Sequence, residues 1–236
     1  MTSPILPLLR ADEVFHRGSP SGELCGVSVA IDPGRFTLLS GQHGSGAGAL
    51  LRILGLLDRP DAGQVWFESR PTGCLDDAAR LNLRNHAFGF VFAEPFLLDS
   101  FSVAENVAMP LFRISGFDIE QARIRTAEVL DFAGLAGVAD CAVTDLSPLD
   151  RHKLSLARAL ANAPRVLIAE DTGLQLSPCD LGDFAALLRS APGHLGVSVI
   201  ATSLAPADIL GPDREIRIER GAVVADSNPS PVAVHD

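Results

Sequence analysis

The residues whose types and spacing bear on chemistry here are Gly41, Gln42, His43, Gly44, Ser45, Gly46, Ala47, Gly48 and Ala49. They form a glycine-rich turn between the apolar run Phe36 to Leu39 and the helical pattern Leu50 to Leu57. Strand, glycine-rich turn and helix in that order make a phosphate-binding loop, in which backbone N–H groups and a helix N-terminus face an anion. The N–H groups from His43 to Ala49 are expected to form that nest. The pattern also needs a lysine after the last glycine and a hydroxyl next to it, for the outer phosphates and for Mg2+. Ala47 and Gly48 stand in those two places. The spacing is that of a phosphate loop and the side chains are not. His43, when protonated, would meet an anion, but the pattern accepts many residues at this position and a variable loop side chain is the simpler reading.

The elements that must position this turn follow in order along the chain. Leu24 to Ile31 is a β-like run closed by Asp32-Pro33-Gly34, and Phe36 to Ser40 is a second strand. Gly55 and the stretch Asp58 to Gly63 end the first helix, Gln64 to Ser69 resumes as a strand, Ala78 to Asn85 is helical, and Phe88 to Phe92 reads as a short buried strand. From Glu94 to Asn162 the pattern turns helical, around Val103 to Phe112 and Asp118 to Phe132, with Ile124, Ala127 and Leu130 expected along one face. Arg165 to Glu170 and Val197 to Thr202 are nearly unbroken apolar strands, as a parallel sheet covered on both faces requires. Glu215 to Glu219 and Val223 to Ala225 read as a closing hairpin around Gly221. The fold class is therefore α/β: a mostly parallel sheet of the P-loop NTPase type, an N-terminal antiparallel β part and an inserted helical subdomain at about 94–162, within one domain of residues 1–225. Residues 226–236, rich in Pro and Ser, are expected to be a flexible tail.

Composition narrows the partners. Nineteen basic against twenty-nine acidic residues give a net charge of −10, which disfavours nucleic acid and anionic lipid. No apolar run approaches the roughly 20 residues that span a bilayer, so a cytoplasmic location is expected, with any membrane attachment made through a partner. Cys25, Cys74, Cys141 and Cys179 are scattered without a C-x-x-C pair and read as small apolar core residues rather than ligands or disulfides. His86 and His152 lack a carboxylate or cysteine at ligand spacing and read as surface residues.

Further stretches resemble one family, the ATP-binding subunits of ABC transporters, and within it the lipoprotein-release and macrolide-export type. Leu50 to Pro60 followed by Ala62-Gly63 looks like the family's helix and turn after the phosphate loop. Gly89 to Phe92, Leu97-Leu98 and Ser102 to Leu111 look like its Q-loop and the segment that follows. Leu146-Ser147 and Ala157 to Pro164 resemble the signature helix and its run into the Walker B strand. The resemblance covers about Leu9 to Ala225 in order, and several ordered motifs carry more weight than a lone glycine-rich loop.

The resemblance implies ATP and Mg2+ as ligands, two such subunits (a second ATP-binding chain or a second copy) sandwiching two nucleotides, and a membrane permease as partner, on the inner membrane. It also implies which positions are altered. The Q-loop glutamine falls on Ala93, and the signature, LSGGQ in the family, reads Leu146-Ser147-Pro148-Leu149-Asp150, where Ser147 caps a helix, Pro148 deletes an N–H, Leu149 adds bulk in place of a glycine and Asp150 brings a negative charge towards phosphate. The Walker B carboxylates are inverted to Glu170-Asp171: Glu170 would meet a hydrated metal and Asp171 a water, or both simply end a strand facing solvent. The dimer-contact aspartate falls on Ser177, the switch histidine on Ser203, and the adenine-stacking aromatic on Gly18, with Phe15 and His16 nearby. Phosphoryl transfer depends on positioned charge, so these losses imply a subunit that keeps the fold without hydrolysis and binds nucleotide weakly or not at all. Two alternatives stand beside it: a divergent ATPase completed by its partner, and an anion- or protein-binding module outside transport.

Overall fold

The computed structural model describes residues 6–18, 20–171, 175–203 and 207–227. The described elements run β1 (Leu9–His16), β2 (Leu24–Ile31), β3 (Phe36–Ser40), α1 (Ala47–Leu54), β4 (Ala62–Phe67), β5 (Arg70–Pro71), α2 (Asp77–Ala87) and β6 (Phe88–Phe92). There follow α3 (Val103–Pro110), α4 (Ile119–Phe132), α5 (Pro148–Leu160), β7 (Val166–Glu170), α6 (Pro178–Leu195), β8 (Ser198–Thr202), α7 (Ala207–Leu210), β9 (Arg214–Glu219) and β10 (Ala222–Asp226).

Two sheets hold α1 between them. The first, in the order β2-β1-β4-β5, is antiparallel; the second runs β10-β9-β3-β8-β7-β6, with β3, β6, β7, β8 and β9 parallel and β10 returning antiparallel. Alternation along the strands separates two cores. Val166 and Ile168 of β7 turn to α1 and the antiparallel sheet, while Leu167 and Ala169 turn to the opposite face, where α3, α4, α5 and α6 pack. Strands covered on both sides must be apolar at every position, which is why β3, β7 and β8 read as unbroken runs in the sequence.

The connection after β6 is held by local caps. Ser102 and Glu105 form a capping box at the start of α3. Buried Asn106 accepts from the Leu98 N–H and donates to the carbonyls of Leu98 and Ser102, at 2.9, 3.1 and 3.0 Å, so one amide satisfies a buried turn. The helical pattern expected up to Phe112 is α-helical only to Pro110, and Leu111–Ser115 continues as one wide π turn ended by Gly116 at φ 64.

Four expectations are corrected. On α4 the buried residues are Ala122, Thr126, Val129 and Leu130; Ile124 and Ala127 are exposed. Spacing of 122, 126, 129 and 130 keeps one face of a 3.6-residue helix, whereas steps of three drift off it. The four cysteines are free and exposed. His152 is buried in α5, its Nδ1 2.9 Å from the Pro148 carbonyl and its ring edge-on to Phe184. Asp226 and Ser227, expected in the tail, close the second sheet: the Asp226 carboxylate accepts two hydrogen bonds from buried Arg214, at 2.9 and 2.6 Å, and the Ser227 N–H reaches the Glu215 carbonyl. The rest of the expected tail, 228–236, lies outside the described residues.

Candidate functional site

The loop from β3 to α1 is shaped by close backbone packing. Gly46, at φ 102, precedes α1 without a side-chain cap. Segment 21–23, leading into β2, lies against the loop: the Gly46 N–H donates to the Ser21 carbonyl at 3.2 Å, and a side chain on Gly22 would overlap the Gly44 carbonyl and the Gly46 nitrogen. The nest expected from His43 to Ala49 is thus partly committed. The Ser45 N–H donates to the Gln42 carbonyl at 2.9 Å and the Ala47 N–H to the Ser45 hydroxyl at 3.3 Å. Among the described residues, the N–H groups of His43, Gly44, Gly48 and Ala49 are those left for an anion.

Side chains around the loop supply little charge for one. Ala47 is buried with its methyl. A Cβ on Gly48 would stand 2.9 Å from the Ser21 Cβ and 3.2 Å from its Oγ, so Ser21 holds the space that a hydroxyl-bearing residue would need. A cavity of about 40 Å3 between the loop and the strand ends is walled by Ser21, Ala47, Gly48, Asp171, Thr202 and Ser203, among others, and no Lys or Arg among the described residues lines it. On the other side a cavity of about 760 Å3 runs from the loop to β9; Arg217 and Arg220 line it together with Glu215 and Glu219, and Arg217 lies 3.5 Å from Glu219.

The two carboxylates after β7 part company. Asp171, at φ 45, keeps its N–H on the Thr202 hydroxyl at 3.1 Å and lines the small cavity. Glu170 continues the alternation of Val166 and Ile168 and so points to α1, where Arg52 waits. Arg52 Nη1 is 3.3 Å from Glu170 Oε2, while its Nε and Nη2 lie 2.7 and 3.4 Å from the two oxygens of Asp58. Burial raises the Glu170 pKa, opposed by the nearby guanidinium; the Asp58 hydrogen bond leads in raising that of Arg52. Neither expected reading of Glu170, metal contact or free solvent exposure, matches this pairing.

The signature and dimer-contact positions are built alike. Ser147, Pro148 and Asp150 open α5 and Ser177, Pro178 and Asp180 open α6; in each, the serine hydroxyl accepts the aspartate N–H and donates to its carboxylate. Asp150 also lies 3.6 Å from Lys153. Its charge, expected to point outwards at phosphate, is taken up within its own helix turn. Leu149 is half-buried and packs on the second core. Following Ala93, Arg158 of α5 donates to the Pro95 and Phe96 carbonyls at 2.7 and 2.8 Å, and burial lowers its pKa. Phe15 covers Gly26 across the β1–β2 pair, and His16 Nδ1 lies 3.9 Å from Asp61. Ser203 borders both loop cavities.

Beside β6 an open groove of about 460 Å3 is lined by Phe90, Phe92, Met109, Pro110, Ile114 and Arg158, among others. Phe88, Phe90 and Phe92 stack in a row that Phe96 meets edge-on. Sequence reasoning missed Ser21, Arg52 and Arg158. For Arg52 the signal was present, a single charge inside the apolar run Leu50 to Leu57, because a charge among buried neighbours needs a partner.

No helix among the described residues is long and apolar enough to cross a membrane. A family model described as ABC transporter matches residues 24–172. The lipoprotein-releasing system ATP-binding protein LolD of Paramagnetospirillum magneticum is 36% identical over 212 residues, 89% of this chain and 93% of that protein. A dimeric, post-hydrolysis structure of the ATP-binding cassette MJ0796 bound to ADP and Pi superposes with TM-score 0.80 at 27% identity, covering 93% of this chain and 98% of that one. CbiO1 from Clostridium perfringens shares the fold, with TM-score 0.85 at 24% identity over 94% of this chain and 89% of that one. This chain belongs to the ABC transporter family, as a homologue of its lipoprotein-release ATP-binding subunits.

Proposed function

We propose that this chain is a hydrolysis-deficient ATP-binding-type subunit, a structural or regulatory member of an export or lipoprotein-release transporter. One observation carries this reading: among the described residues, the cavity where the loop meets the strand ends presents Asp171 and no permanent cation. A transferring phosphoryl group accumulates negative charge that Lys and a metal ordinarily neutralise. Removing one preorganised group of that kind costs about 2.7–4 kcal/mol of transition-state stabilisation. Here Ala47 and Gly48 lack the cation and hydroxyl, Ala93 and Ser203 lack the glutamine and histidine, and at α5 Pro148 has no N–H while that of Asp150 is taken by Ser147.

The partners follow from what is kept. The apolar groove along Phe90, Phe92 and Met109 suits the apolar face of a short amphipathic helix, which a permease would supply on the inner membrane. A second ATP-binding subunit, or a second copy, would meet the faces carrying the loop and α5.

Calorimetry with Mg-ATP should show no heat of binding, and phosphate release should stay at the buffer rate. Turnover abolished by Asp171→Ala would overturn the reading. Ala47→Lys with Gly48→Ser should gain nucleotide affinity only when Ser21→Gly makes room. Copurification with a tagged permease tests the docking part.

A further inference from the structure

The disagreement between this site and a bound metal extends to the end of β7. Family resemblance puts a divalent cation beside the carboxylate of Glu170, yet that carboxylate lies 3.3 Å from Arg52. The same guanidinium holds both oxygens of Asp58. Glu170 and Arg52 side chains are 18% and 33% exposed, so the pair is shielded more than an ordinary surface pair. The groups that act on Glu170 are Arg52, Asp171 and Asp58, two of them acidic, and Arg52 is the one cation among them. Gly48 brings no hydroxyl to a metal, and Ser21 stands 2.9 Å from where a side chain at that position would begin.

We infer that Arg52 is a tethered counter-cation: it occupies with a side chain the electrostatic role of a divalent metal at Glu170, and so excludes metal from that carboxylate. This inference rests on the proposed loss of hydrolysis and says how the strand end is held without ligand. A covalently attached charge is always present, so the junction of α1, β7 and the Asp58 turn is complete in the absence of nucleotide. Removing the guanidinium leaves Glu170 and Asp58 facing each other unneutralised, a pair that favours a divalent cation.

The test uses the full chain without nucleotide and Mn2+ as probe, with free Mn2+ read by electron paramagnetic resonance and Tm by calorimetry. Wild type should leave millimolar Mn2+ free and show no Mn2+-dependent rise in Tm. Arg52→Gln should lower Tm by about 4 °C and take up Mn2+, which restores part of the loss. Glu170→Gln in that background should abolish the uptake. Arg52→Lys, which keeps the charge, should exclude Mn2+ as wild type does, and it decides the matter if Arg52→Gln does not fold. Mn2+ uptake by wild type that Glu170→Gln removes would overturn the inference, as would uptake by Arg52→Lys equal to that by Arg52→Gln. Phosphate release by wild type would instead overturn the functional reading and leave these measurements untouched.

Discussion

The N-terminus of α1 and that of α5 are both places where a nucleotide phosphate would be expected in this family, and they have been altered in opposite ways. α1 begins at Gly46 with no side-chain cap, its first N–H groups partly open. α5 begins at Ser147 with Pro148, which has no N–H, at the first turn and Asp150 folded back on the serine, so the Asp150 N–H and carboxylate are both taken up within the cap. A helix start that keeps orphan donors remains an anion site; one that closes its own cap is a structural terminus. The loop leaves backbone donors open, whereas the signature helix turns the Asp150 N–H back on its own serine. The start of α6 repeats the α5 solution with Ser177 and Asp180.

The comparison breaks most visibly at Gly22. Its φ is 101, and a Cβ there overlaps the loop backbone, so Gly22→Ala should lower stability by about 4 kcal/mol. An unchanged urea midpoint would show that segment 21–23 does not support the loop. Gly48→Ser comes next, at about 2 kcal/mol, because Ser21 stands 2.9 Å from the new Cβ. Ser21→Gly should relieve that loss, and equal losses in both backgrounds would remove the steric account. Ser147→Ala and Ser177→Ala should each cost about 1 kcal/mol in denaturant titrations and add when combined, as caps of separate helices do.

The smallest effect is a pH dependence at Glu170. Its folded pKa is raised, with burial the leading cause. A raised carboxylate contributes stability below its unfolded pKa and loses that contribution as pH rises through the folded pKa. Glu170→Gln should therefore be neutral or slightly stabilising at pH 7, with the difference from wild type changing between the unfolded and folded pKa. A wild type more stable than Glu170→Gln at neutral pH would contradict this sign.

Much of the scaffold was legible. β2, β3 and β6 lie where their apolar runs end at Asp32-Pro33-Gly34, Gly41 and the turn after Phe92, since buried strands leave continuous apolar signatures. The N-cap Ser147 was legible from Pro148 at the first helical position, whereas the same cap at Ser177 went unread. The buried face of α4 was misread because Ile119 and Ile124 are exposed apolar residues, which blur the period. His152 was misread because its place is set by Phe184, on a different helix, and by a carbonyl one turn away.

By itself the sequence determined the order of strands, turns and helices from Leu24 to Glu170, though not β1 or α6, and placed Ala47, Gly48, Ala93 and Ser203 where the family resemblance implies a lysine, a hydroxyl, a glutamine and a histidine. These are properties of residue type and local spacing. Tertiary structure alone decided that Ser21 fills the space beside Gly48, and that Asp171 faces the loop while Glu170 turns to Arg52. The reason is physical. Electrostatic and steric roles depend on distances of a few ångströms, and here the chain brings together residues as far apart in sequence as Arg52 and Glu170.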